Sequence, residues 1–115
     1  MVCLGTSTAG HISVVIRSRN GFREHGVAEL TLGVHELKVV IRLSGAPAGA
    51  SQPAHLHAGG CAGDHKVISS LGSVVNGRRA ATLGPRRVRG LSIDVHESTA
   101  EGAAVVACGV IPRRH

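Results

Sequence analysis

From Gly26 to Leu32 the chain alternates, with Ala28, Leu30 and Leu32 in one set and Val27, Glu29 and Thr31 in the other. Glu36 to Ser44 repeats the pattern more cleanly, setting Leu37, Val39, Ile41 and Leu43 against Lys38 and Arg42. A period of two belongs to strands, whose successive side chains point to opposite faces, and it marks a sheet with one buried face. The turn between these two runs is Gly33-Val34-His35. Further strands are predicted for Ile12–Arg17, Pro53–Ala58, Arg79–Leu83, Leu91–His96 and Ala103–Ile111. Lys66 to Val75 is apolar without a clean period and is interrupted by Gly72. Asn20-Gly21 and Asn76-Gly77 carry the chemistry of tight hairpin turns. Residues 45–52, 59–65 and 97–102 read as loops. Seven or eight short strands with turns between them and no helical period predict an all-β sandwich or Greek-key barrel. The predicted organisation is one domain over 12–112, a flexible lead-in over 1–11 and a short basic tail over 113–115, with no internal repeat or linker.

Composition refines this. Phe22 is the sole aromatic residue, so the core must be built from small and branched aliphatics. Thirteen Lys+Arg against seven Asp+Glu give a net charge of +6, nearly all from arginine. Such a surface attracts small anions. It does not read as a specific nucleic-acid binder, because no stacking aromatics accompany the arginines and no recognition helix is in view. No apolar run approaches the roughly 20 residues that span a bilayer, so no transmembrane segment is expected. Met1 to Gly5 lacks a basic start followed by a long apolar stretch, so no clear signal peptide is read there.

The candidate chemistry lies in Pro53-Ala54-His55-Leu56-His57. On a strand, the i, i+2 spacing projects both imidazoles from one face, where they could grip one metal ion. His96, on another predicted strand, could complete a three-imidazole site, and Asp94 shares its face. Glu97 would point the other way if the strand continued. His11, His25, His35 and His115 have no partner spacing and read as surface residues. Gly59-Gly60 lacks the downstream context of a phosphate-binding loop. Three cysteines are present. A Cys61–Cys108 bridge would close a long loop and imply an oxidising compartment, with two separate buried thiols as the alternative and Cys3 left over.

These residues carry a resemblance. The His55-x-His57 strand, Cys61 just beyond it, Val95-His96-Glu97 and Ala107-Cys108-Gly109-Val110-Ile111 stand in an order that resembles the copper/zinc superoxide dismutase family, and more closely its short bacterial-type relatives. The likeness runs from about Gly26 to Ile111, and the final Ala-Cys-Gly-Val-Ile string is its most specific part. It implies an eight-stranded Greek-key β-barrel. It also implies His55, His57 and His96 as ligands of one copper ion per chain, and a Cys61–Cys108 disulfide pinning a loop to the last strand. Imidazole suits copper and zinc alike. Asp94 becomes the candidate to orient His96 by accepting its second N–H.

The chain also departs from the pattern. The family's zinc subsite needs several histidines and an aspartate in a long loop after the cysteine, and here that loop offers only Asp64 and His65. A zinc site is therefore not expected, and His65 could stand in as a fourth copper ligand. The electrostatic loop is shortened to eleven residues between His96 and Cys108, and Val105 occupies the place of the family's guiding arginine. Steering of an anion would then fall to Arg86, Arg87 or Arg89. The functions implied are a copper-only superoxide dismutase, a copper-binding storage or delivery module, or a metal-free structural or interaction domain. Members of the family often dimerise, so the resemblance allows a homodimer, and the expected disulfide points to a periplasmic or secreted location.

Overall fold

The computed structural model describes residues 8–62 and 66–113. Eight strands form one closed antiparallel barrel: β1 (Thr8–Ser18), β2 (His25–Gly33), β3 (Leu37–Ser44), β4 (Ser51–His57), β5 (Val67–Val75), β6 (Arg78–Leu83), β7 (Ser92–His96) and β8 (Val105–Val110). Around the wall the order is β1-β2-β3-β6-β5-β4-β7-β8. β4, β5 and β6 form a meander, the chain from β3 crosses over to start it, and β7 returns to lie beside β4. This return makes His57 and Ser92 register partners, although two whole strands lie between them in the sequence.

The alternation read from the sequence sets the inside of the barrel. Ala28 and Leu30 on β2, and Leu37, Val39 and Ile41 on β3, are buried, and the residues between them face outward. β4 contributes Ala54 and Leu56 to the same core, and β7 contributes Ile93 and Val95. Phe22 packs only at its margin, so the interior is aliphatic. The turn residues behave as their chemistry predicts: Asn20 and Asn76 adopt positive φ (56° and 52°), each followed by a positive-φ glycine.

Three boundaries differ from the pattern reading by more than one residue. β1 begins at Thr8 rather than Ile12, pairing Thr8 with Gly33 before a register shift at Gly10. Ser51 and Gln52, read as loop, belong to β4, where Gln52 is buried and its side-chain amide donates to both carboxylate oxygens of buried Glu24 at 2.8 and 3.0 Å. The last strand begins at Val105, because Ala103 and Ala104 turn back on the 97–100 segment through Glu97 N–H to Ala104 O and Ala103 N–H to Ala100 O.

Cys61 and Cys108 form a disulfide across 47 residues. It ties the segment after β4 to β8. Ser92 on β7 adds a second tie by donating its hydroxyl to Gly60 O at 3.3 Å.

Candidate metal centre

β4 and β7 pair as Ala54↔Val95, His55↔Asp94, Leu56↔Ile93 and His57↔Ser92. With Leu56 and Ile93 turned into the core, His55, His57 and Asp94 must project from the outer wall, and His96 follows on the same face two residues after Asp94. The ladders break at these positions. β4–β5 shifts register between Ala54 and His55 and again between Leu56 and His57, and β7–β8 shifts between Val95 and His96. The extra residues are Leu71 and Ile68 on β5 and Val106 on β8, so each histidine stands opposite a bulge in its neighbouring strand.

The result is a cluster of four. His55, His57, Asp94 and His96 each offer one donor atom, and these atoms lie within 4.8 Å of one another. His57 Nε2 is 2.8 Å from Asp94 Oδ2, while His55 Nδ1 and His96 Nε2 each stand 3.6 Å from Asp94 Oδ1. The His55 ring meets His57 and His96 edge-on, with centroids 5.8 and 5.0 Å away. On its far side, His96 Nδ1–H donates to Ala103 O at 3.0 Å, which leaves the Nε2 lone pair turned toward the cluster. Burial holds the His55 imidazole below its ordinary pKa; Asp94 opposes this, and the neighbouring His96 and His57 reinforce it. A neutral ring is the form that ligates metal.

The donor set fits a transition-metal ion. His55 Nδ1, His96 Nε2 and Asp94 Oδ1 are buried and make no hydrogen bond. Each such group costs on the order of 1–3 kcal/mol, a cost that a cation among them would offset. Three imidazoles and a carboxylate suit zinc or copper(II).

Beside the cluster lies a cavity of about 310 Å³, lined by Pro53, His55, His96, Ser98, Thr99, Ala100, Gly102 and Ala103. It gives solvent access to the cluster from the side of the β7–β8 loop. Arg86, Arg87 and Arg89 line a different cavity with Leu32 and Val88. Arg17 and Arg19 flank a third, next to the disulfide. His11, His25 and His35 are exposed. Asp64, His65, His115 and Cys3 lie outside the described residues.

Asp94 enters the cluster itself, facing all three imidazoles rather than only His96. Its position was legible in the alternation of β7; its reach toward His57 was not, because that depends on the offset of β4 against β7. The β5 bulges opposite His55 and His57 leave a trace in the sequence, the missing period of Lys66 to Val75. No protein-family model matches the chain, and no curated protein matches it.

Proposed function

We propose that the chain is a copper-binding protein of the superoxide-dismutase-like Greek-key type, with His55, His57 and His96 as ligands. The observation that carries the reading is the convergence of buried donor atoms without hydrogen bonds on one outer-wall site. The strand order, in which β7 returns beside β4, fits a Greek key. Copper, when bound, would supply one-electron redox: one superoxide is oxidised to oxygen, and a second is reduced and takes two protons to leave as hydrogen peroxide. The chain's own part is to hold the imidazoles in place, His96 through Ala103 O, and to admit a small molecule through the cavity next to His55 and His96. Arg86, Arg87 and Arg89 would act only at longer range, through the positive field of the +6 surface. The disulfide is consistent with an oxidising compartment.

A copper-binding module without turnover is the second reading. It is favoured by a cavity lining that offers no arginine or lysine to dock superoxide. Titration of the disulfide-intact protein with copper tests the shared part. One tight copper per chain is expected, lost in a His55→Ala/His57→Ala double variant, and copper at 100 times its dissociation constant should stabilise the wild type alone by about 2.7 kcal/mol. Superoxide consumption by the loaded protein then separates the two readings. Copper binding equal in wild type and variant removes both.

A further inference from the structure

The cluster contains one formal charge of its own. Asp94 is 10% exposed at its side chain and sits between the two strands, with Oδ2 against His57 and Oδ1 equidistant from His55 and His96. Among the described residues, none that lines the adjacent cavity is acidic or basic apart from the two histidines. Glu97, the next acidic residue in the chain, is exposed and turned out of the strand. Oδ1 is buried without a hydrogen bond, so no N–H or O–H of the described residues already claims it.

Resting on the copper-site reading above, we propose that Asp94 is a fourth ligand and the residue that makes the centre select divalent ions over Cu(I). The argument is one of charge and hardness. Three neutral imidazoles are nearly indifferent to an ion's charge and serve Cu(I), Cu(II) and Zn(II) alike. A carboxylate attracts a doubly charged ion twice as strongly as a singly charged one at the same distance. It is also a hard oxygen donor, poorly matched to soft Cu(I). Three imidazoles with one carboxylate make a four-coordinate set of the kind zinc takes. The cross-strand register fixes this role: Asp94 stands directly opposite His55, and Cys108 stands opposite Asp94 on the other side. The carboxylate is therefore held in the wall between two anchored neighbours, with little freedom to swing away.

The test uses the full-length, disulfide-intact chain and three probes: Zn(II), Cu(II), and Cu(I) held anaerobically against a competing chelator. Asp94→Asn keeps the shape and removes the charge. It should weaken Zn(II) and Cu(II) by at least the roughly 10- to 100-fold that loss of a ligand's supporting partner costs and Cu(I) by much less, so that the reduction potential of bound copper rises. Equal weakening of all three ions, or no weakening, in a chain whose His57→Ala variant loses them, overturns the selectivity while leaving the metal centre standing. Unchanged binding in His57→Ala overturns the centre and this proposal together. If Asp94→Asn does not fold, an Asp64→Asn background leaves Asp94 as the sole aspartate. Isotope labelling of its carboxylate then gives an infrared band that should shift on zinc loading, and a band that does not move rejects ligation by Asp94.

Discussion

At the scale of single residues, the outer wall carries polar groups whose behaviour follows from their immediate partners. Ser13 and His11 on β1 both reach Glu29 on β2: the Ser13 hydroxyl donates to Oε1 at 2.6 Å, and His11 Nε2 lies 2.7 Å from the same oxygen. The Ser13 hydrogen bond, then that of His11, holds the Glu29 carboxyl below its ordinary 4.5. A carboxyl with a lowered folded pKa adds stability above its unfolded value, and that contribution is lost as pH falls through the folded value. An NMR titration should place Glu29 below 4.5 in the wild type and closer to it in Ser13→Ala; no movement would show that the hydroxyl is not what holds the carboxylate. Such contacts cannot be read in advance, since they depend on cross-strand register. His55 and His57 were legible because i, i+2 on a strand fixes their face without knowledge of any partner. Glu24 and Gln52 were not: a polar pair closing a barrel end has the same composition as an ordinary loop.

At the scale of elements, the site depends on how β4, β7 and β8 are fastened together. β2 and β3 were readable because each has one dry face and one wetter face; β7 alternates in sequence in the same way, although its outer residues Ser92 and Asp94 are buried too. β5 was not, because its ladder with β4 skips residues on either side of His55 and Leu56, leaving Leu71 and Ile68 out of step. A bulged strand loses its period for the same reason that it serves the site. The Cys61–Cys108 bridge adds a fastening that no pleat supplies. Closing a loop across 47 residues removes unfolded-state entropy worth about 4 kcal/mol at 25 °C. Cys61→Ser/Cys108→Ser should lower the urea midpoint accordingly. It should also weaken metal binding, since Cys108 stands next to Asp94 across β7–β8. Metal affinity unchanged in a folded double variant would show that the centre does not depend on the bridge.

At the scale of the whole molecule, stability comes from an aliphatic interior enclosed by a wall without free ends, and the pairing around that wall is uneven. β2 and β3 pair along eight consecutive positions, whereas β5 and β6 pair only at Val75↔Arg78 beside their turn. Beyond that point a side chain bridges the gap. Arg79 Nε donates to Leu71 O at 2.9 Å, and the guanidinium lies over Gly72, where a Cβ would collide with Nη2. Arg79→Ala should therefore speed amide hydrogen exchange in residues 69–74 more than in β2 or β3. Uniform protection in the variant would show that the side chain is dispensable there. The barrel thus has a seam, and an arginine is its clasp. A closed wall offers other chains no strand edge to extend, but when this clasp opens, two edges appear at once. The molecule's exposure to edge-to-edge aggregation then depends not only on how stably its core is packed but also on how often one guanidinium lets go of one carbonyl.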